Sequence, residues 1–388
     1  MKIGYFTDSY KPYMSGVVKS IDSFSNHLRK KGHQVYIFAP DYPGVKKNND
    51  NVYRFKSLPT FTGTNFRLAI PFSAKLLASI NSFNLDIIHT HSPFLMGWLG
   101  KVIARKNNIP LVFTYHTLYE KYAHYAPFAP GIVKIITRKH SDKYCSACNM
   151  IITPSDYVQQ QLKEKEIKVS MITIPTGVEI NKYKSCNNLQ LKNKYGIADN
   201  EKVLLFVGRL GDEKNVEFLL RVFMEILNKI NRVKLLLVGD GPRKKKLEKL
   251  SKIYNIQDRV IFTGWQPPDK VQDFYLASDL FVFPSMTETQ GLVTLEAMAG
   301  GLPVVAVNAA GSMAMVDDGL NGLLVKADEH FFANAVIDLL THEKRYKLLA
   351  RNAKKKGEKY SMPGMAERLI KCYEALLVGK AGYNEYLV

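Results

Sequence analysis

Short, nearly continuous apolar runs alternate with stretches of helical period along almost the whole chain. In the first half, Lys2–Phe6, Gln34–Ala39, Leu85–His89, Leu111–Tyr115, Met150–Thr153 and Met171–Ile174 read as strands. Between them, 17–31, 73–82, 93–107, 130–147 and 155–165 read as amphipathic helices. Strands that are apolar at consecutive positions are buried on both faces, as in a parallel sheet covered by helices. The order βαβα therefore predicts a doubly wound α/β domain. The rhythm lapses over 176–201, around Asn181-Lys182-Tyr183-Lys184 and Asn187-Asn188. It restarts with Lys202–Val207, Val233–Val238, Val260–Phe262, Leu280–Phe283, Val304–Ala306 and Leu323–Val325. This pattern predicts two Rossmann-like domains, 1–185 and 186–360. The tail 361–388, helical over 361–378, is expected to return to the first domain. A chain of 388 residues suits two cores rather than one.

Composition adds location and partners. No run approaches the ~18 consecutive apolar residues of a membrane span. Asp8, Lys11 and Pro12 interrupt the N-terminus too early for a secretory leader, so a cytoplasmic protein is expected. Cys145 and Cys148 form a lone C-x-x-C with no second pair at zinc spacing, and the pair ends a helix rather than opening one. Buried structural thiols are expected there. The net charge is +19, and it is uneven. Residues 1–185 hold 25 Lys and Arg against 11 Asp and Glu, while 186–388 hold 29 against 24. A basic N-terminal half implies an anionic partner: nucleic acid, an anionic bilayer or a phosphate-rich ligand. No RRM, KH or zinc-finger signature supports nucleic acid.

The densest chemical signal is Pro284-Ser285-Met286-Thr287-Glu288-Thr289-Gln290-Gly291-Leu292-Val293-Thr294-Leu295-Glu296. A strand ends at Phe283, a polar loop follows and a helix starts near Gly291. Backbone N–H groups from Thr289 to Val293 would point at an anion, since a helix N-terminus leaves its first donors unpaired. By spacing alone, Glu288 and Glu296 are either ligand contacts or a helix-end charge and a solvated helix residue. Upstream, Gly208-Arg209-Leu210-Gly211-Asp212-Glu213-Lys214 joins a strand to a helix, and a forked guanidinium plus an ammonium suits a leaving diphosphate. Gly239-Asp240-Gly241-Pro242 forms another such turn, with Pro242 expected at the first position of a helix. Thr263-Gly264-Trp265 follows another strand and resembles a base-contacting segment of nucleotide-sugar transferases, and Trp265 reads equally as core. In the first domain, Asp8 to Val18 joins strand to helix without G-x-G-x-x-G, which disfavours a dinucleotide site.

The stretch Glu288 to Glu296 resembles the E-x7-E signature of the retaining GT-B glycosyltransferases of family 4. Arg209 and Lys214 match that family's R-x4-K pair, and the resemblance spans residues 2 to about 360. It implies a GT-B fold, two doubly wound domains facing across a cleft, and a nucleotide-sugar donor. Carried over, Glu288 contacts the donor sugar and Glu296 the ribose. Thr289, Gln290, Gly291, Leu292 and Val293 supply amides, Gly16 and Gly241 lie near the phosphates, and Arg209 and Lys214 hold the diphosphate. Gly311 to Val316 departs from the Pro-Glu pair common in the family.

The loop Thr114-Tyr115-His116-Thr117-Leu118-Tyr119-Glu120-Lys121-Tyr122-Ala123-His124-Tyr125 is similar to the acceptor loop of the glycolipid-synthesising branch, the bacterial diacylglycerol glucosyltransferases. The resemblance implies a hexose, with glucose the expected one, moved from a UDP-sugar to a lipid such as 1,2-diacylglycerol, with an α linkage. His116 would sit beside the reacting end of the sugar, with Asp8, Tyr119, Glu120 and Tyr122 on the acceptor side. Segments 130–143 and 73–83 mix apolar with basic residues and are candidates for contact with an anionic membrane surface, the alternative being packing on the sheet. The expected location is the inner face of the cell membrane, held peripherally. No Asp-x-Asp is present, and Asp317-Asp318 are adjacent, so no metal or other cofactor is expected beyond the UDP-sugar co-substrate. The rival readings are UDP-galactose, UDP-GlcNAc or GDP-mannose as donor with a polysaccharide or inositol-lipid acceptor, and, more remotely, a basic nucleic-acid-binding protein.

Overall fold

The computed structural model describes residues 1–45, 51–60, 66–118, 130–184 and 188–379, apart from the side chain of Pro130. The chain divides into two compact units, Met1–Gly177 with Met362–Val388, and Val178–Ser361.

The first unit runs β1 (Lys2–Phe6), α1 (Gly16–Lys30), β2 (Gln34–Pro40), β3 (Val52–Phe55), β4 (Ser57–Pro59), β5 (Arg67–Ala69), α2 (Ala74–Ser82), β6 (Ile87–Thr90), α3 (Leu95–Lys106), β7 (Leu111–Thr114), α4 (Pro130–Cys145), β8 (Met150–Thr153), α5 (Asp156–Glu164) and β9 (Met171–Thr173). Seven strands form a parallel sheet in the order β3-β2-β1-β6-β7-β8-β9. β6 starts at Ile87, two residues later than the apolar run suggests. Neither β3 nor the antiparallel hairpin β4–β5 was legible in the hydrophobic pattern. Leu58 and Leu68 face each other across that hairpin and are both exposed, so no burial rhythm marks it.

Serines open three helices by accepting from the N–H three residues on: Ser15 for α1, Ser73 for α2 and Ser155 for α5. α1 buries Val18, Ile21, Phe24 and Leu28, one stripe at helical spacing. The last helix of the chain packs on α1, buries Met365, Ala366, Leu369 and Tyr373 among others, and closes the first unit.

The second unit runs α6 (Asn188–Lys194), β10 (Lys202–Val207), α7 (Val216–Leu227), β11 (Val233–Val238), α8 (Lys244–Ile253), β12 (Val260–Gly264), α9 (Val271–Leu276), β13 (Leu280–Phe283), α10 (Leu292–Ala299), β14 (Val304–Val307), α11 (Ala310–Met315), β15 (Gly322–Val325), α12 (Glu329–Thr341) and α13 (Glu343–Lys359); the chain ends with α14 (Met362–Leu377) in the first unit. Its parallel sheet has the order β12-β11-β10-β13-β14-β15. Both sheets are doubly wound, as the pattern predicts. Strand order reverses between β1 and β6 in one and between β10 and β13 in the other, and ligands of such sheets bind outside the strand ends at these points. No helix among the described residues is long and apolar enough to cross a membrane.

Candidate active site

In the second unit the residues singled out from sequence gather at the carboxyl ends of β10, β11 and β13. The loop after β10 passes through a short 3-10 turn, Asp212–Lys214, before Asn215 takes a left-handed conformation and α7 begins. Lys214 is thereby turned toward the loop after β13, and its ammonium is paired with the Glu288 carboxylate. The Ser285 hydroxyl lies 3.1 Å from that carboxylate and 3.2 Å from the Glu213 carbonyl, tying the two loops together. Arg209 lies 3.9 Å from Glu213 and is half exposed.

The glycines here make close approach possible. A Cβ on Gly239, whose φ is +138°, would stand 2.0 Å from the Gly208 carbonyl oxygen, and one on Gly241 would stand 2.5 Å from that of Leu210. Backbone bonds from Gly208 to Val238 and from Leu210 to Asp240 stitch the same loops. Pro242 lies in a turn, and α8 starts only at Lys244, so the expected helix-opening proline is corrected. Trp265 is 62% exposed after β12, which removes the core reading of that residue.

Gly291 adopts φ +70° just before α10. Among the described residues, the N–H groups of Gly291, Leu292 and Val293 donate to no backbone carbonyl, as expected at a helix start. Thr289 lies beside Glu288 in the loop, and Gln290 is buried. Gly311, in the segment that departs from the family pattern, packs directly on this loop: a Cβ there would lie 2.2 Å from the Cβ of Glu288. Glu296 is only 3% exposed and accepts a hydrogen bond from the Tyr275 hydroxyl at 3.0 Å. Burial, with Glu296 next in importance, pushes the Tyr275 and Tyr183 hydroxyls well above their ordinary range. Glu296 is therefore a buried carboxylate held by a neutral phenol, not the solvated helix residue that spacing alone also allowed.

In the first unit, Asp8 follows β1 and is 3% exposed. Its carboxylate accepts from the Ser92 hydroxyl and from the Met96 N–H at 3.1 Å, which fastens the β1 end to the start of α3. Burial raises its pKa above the ordinary value. Gly16 opens α1, and a Cβ there would meet nothing within 4 Å. His116 follows β7, with its Nε2 3.0 Å from Nδ1 of His91, the residue after β6. Burial lowers the His116 pKa to about 3 and holds His89 and His91 well below the ordinary range, so all three rings are neutral near pH 7. Tyr119, Glu120 and Tyr122 lie outside the described residues.

Sequence reasoning missed His89, His91 and their aromatic shell. His89 lies 2.6 Å from the Tyr373 hydroxyl and 2.7 Å from Thr114 Oγ1, and Tyr5 meets His91 edge to face. The signal present was His-x-His at the end of a strand. Cys145 and Cys148 are buried free thiols, and burial lifts the Cys145 pKa to about 12.

On α4, Tyr144 is buried and its hydroxyl is bonded to Gly97 O and Thr90, whereas Ile132, Ile135 and Ile136 near the start are 57–62% exposed beside exposed Lys134, Arg138 and Lys139. In α2 only Ile80 is fully buried.

Residues 14–182 match the model of Glycosyltransferase Family 4, and residues 187–356 match that of Glycosyl transferases group 1. The alpha-monoglucosyldiacylglycerol synthase of Streptococcus pneumoniae is 36% identical over 380 residues, 93% of this chain and 85% of that protein. The enzyme of the same description from Acholeplasma laidlawii is 32% identical over 349 residues, 87% of each chain. A GDP-mannose-dependent alpha-mannosyltransferase of Mycolicibacterium smegmatis is 28% identical, over 97% of this chain and 98% of that one. Among solved structures, sucrose-phosphate synthase from Thermosynechococcus elongatus superposes with a TM-score of 0.80 at 22% identity, covering 98% of this chain and 100% of that one. Anabaena HepE in complex with UDP superposes at 0.79 and 20% identity, covering 97% and 100%. The two parallel-sheet units thus have the GT-B fold, and the chain belongs to glycosyltransferase family 4.

Proposed function

We propose that this glycosyltransferase moves glucose from UDP-glucose to the free hydroxyl of a diacylglycerol-type lipid at a membrane surface, retaining the anomeric configuration. The observation that carries this reading is the end-to-end likeness to two alpha-monoglucosyldiacylglycerol synthases. A nucleotide-sugar donor also fits the HepE complexes with UDP and UDP-glucose.

Arg209 and Lys214 neutralise the charge that develops on the departing diphosphate, and fixed cations in a partly buried loop stabilise such charge better than water does. Glu288, held by Lys214 and Ser285, accepts from a sugar hydroxyl, and the N–H groups of Gly291, Leu292 and Val293 serve the sugar and the distal phosphate. Thr289 and Gln290 line the same loop. Glu296 serves the ribose, with Tyr275 behind it. Gly16 and Gly241 admit the phosphates closely. Two positive side chains make a metal ion at the diphosphate unnecessary in this scheme.

The bond from the anomeric carbon to the phosphate oxygen breaks with its electron pair going to the phosphate. The lipid oxygen bonds to the same face, and its proton passes to the leaving phosphate oxygen. A retaining glycosidase needs two carboxylates ~5 Å apart about the bond, whereas here Glu288 is engaged by Lys214, so no enzyme nucleophile is assigned. His116 supports the reacting end of the sugar, and Asp8, Tyr119, Glu120 and Tyr122 belong to the acceptor side.

The basic first half and the exposed isoleucines of α4 suit peripheral attachment to an anionic membrane face. The second reading is GDP-mannose as donor, favoured by the likeness to the mannosyltransferases.

The test is UDP release from UDP-glucose with and without diacylglycerol in mixed micelles containing anionic lipid. Release that requires diacylglycerol, with a glycolipid product cleaved by an α-glucosidase, supports donor, acceptor and stereochemistry together. Turnover with GDP-mannose alone would move the assignment to the second reading.

A further inference from the structure

The strand ends of the first unit hold a stack of three rings, His89 and His91 buried and His116 half-buried, whose hydrogen bonds are not interchangeable. His89 and His91 stack at 4.3 Å between centroids, and His91 and His116 at 5.3 Å. His91 Nδ1 and His116 Nε2 are 3.0 Å apart, close enough that one of the two carries the shared hydrogen. The other nitrogen of His91, Nε2, is buried and has no hydrogen-bond partner among the described residues.

That orphan nitrogen separates the two arrangements. If His116 donated from Nε2, His91 Nδ1 would be the acceptor, and a neutral His91 would carry its hydrogen on Nε2. A buried N–H would then lack a hydrogen-bond partner among the described residues, and the Tyr5 ring packed at 4.7 Å between centroids is at best a weak acceptor. If His91 donates from Nδ1, its Nε2 is a bare lone pair, and buried acceptors go unpaired more readily than buried donors. The second arrangement leaves no N–H without a partner on His91.

We propose that His91 is a positioning residue that sets the tautomer of His116: it donates Nδ1–H to His116 Nε2, so that His116 carries its own hydrogen on Nδ1. With Nε2 accepting from His91 and Nδ1 already protonated, His116 has no ring nitrogen left to take up a proton. This rests on the reading of His116 as a contact of the reacting sugar, and it narrows what that contact does. The proton of the attacking lipid hydroxyl must then leave by another route than His116, to the departing phosphate. Burial supports the argument, because three rings lowered in pKa by desolvation are neutral and so have tautomers to choose between. His89, bonded on both sides to hydroxyls, packs behind His91 and keeps its ring plane.

The experiment is long-range proton–nitrogen NMR on protein labelled at its histidine ring nitrogens, with the His91 and His116 signals assigned from His91→Phe and His116→Gln spectra. The expected result is that both rings of the wild-type protein carry hydrogen on Nδ1. A wild-type His116 with hydrogen on Nε2 overturns the proposal, and a folded His116→Gln protein is enough to assign that signal. In His91→Phe the His116 signals should move toward the Nε2–H form, and kcat should fall roughly tenfold or more with donor KM nearly unchanged. His91→Asn, whose amide nitrogen reaches about as far as Nδ1, should restore both the tautomer and most of kcat. A donor-capable Asn that rescues no better than Phe would also overturn it. If instead His116→Gln keeps wild-type turnover while the tautomers are as stated, the placement of His116 at the sugar fails and the His91 hydrogen bond stands.

Discussion

The ammonium of Lys214 is paired with the carboxylate of Glu288, 74 residues further along the chain. The two strands that carry their loops, β10 and β13, are neighbours at the point where strand order reverses. The pair thus sits where a doubly wound sheet binds ligands, and each side chain holds the other in place.

Removing either partner should sharply lower activity while leaving the fold. Lys214→Ala and Glu288→Gln are each expected to lower kcat by about 10²–10³, the usual loss for a fixed group that stabilises transition-state charge. Both side chains keep some contact with solvent, so thermal unfolding should move little. UDP-release kinetics beside a melting curve measure this, and wild-type rates in either protein would remove the pair from the mechanism.

Two glycines should behave oppositely. Gly239→Ala puts a Cβ 2.0 Å from the Gly208 carbonyl oxygen at a φ of +138°, and should cost at least ~2 kcal/mol in stability. Gly16→Ala meets no protein atom within 4 Å and should leave the melting temperature unchanged. A donor KM that rises in Gly16→Ala would then report a ligand passing close to that backbone, and an unchanged KM would place the phosphates elsewhere.

Acid should destabilise the first unit through its buried histidines. Folded pKa values below the unfolded value of ~6.5 mean that the unfolded chain binds the protons. Stability is therefore fully present above about pH 6.5 and is lost as pH falls toward the folded value, about 3 for His116. Each such ring contributes a slope of roughly 1.4 kcal/mol per pH unit in that window, and His89 and His91 act in the same direction. Asp8, raised by burial, opposes them in part. Denaturant midpoints from pH 8 to 5 should be flat at first and then fall, and a flat profile throughout would contradict the burial of these rings.

Membrane attachment should depend on the start of α4. Changing Ile132, Ile135 and Ile136 together to Ser removes apolar surface already exposed, so the fold should hold. Co-sedimentation with anionic vesicles should fall by at least about tenfold, and binding by the wild-type chain should weaken with salt. Unchanged sedimentation would place the membrane contact on another face.

Sheets and loop motifs were legible because their signals are local. Leu280–Phe283 and Val304–Val307 are consecutive apolar runs because both faces of the second sheet are covered, and that requirement is written in the sequence itself. The Glu288 loop was legible for the same reason, as a polar segment between a buried strand and a helix. The hairpin β4–β5 was not, since it buries too little to impose a rhythm, and β3 is only four residues long.

The sequence by itself determined the alternation of buried strands and amphipathic helices, and with it the class of fold and the residue types brought to the strand ends. Only the tertiary structure decided which of those residues meet. His91 finds His116 25 residues away, and His89 finds Tyr373 across 284 residues. Spacing left Glu296 either a ligand contact or a solvated helix residue, and its burial beside Tyr275 removed the second. The physical reason is common to all three. Periodicity reports whether a side chain faces the core, but in a parallel sheet the neighbours of a strand end come from other crossovers, and their identity depends on strand order and register, which no local pattern encodes.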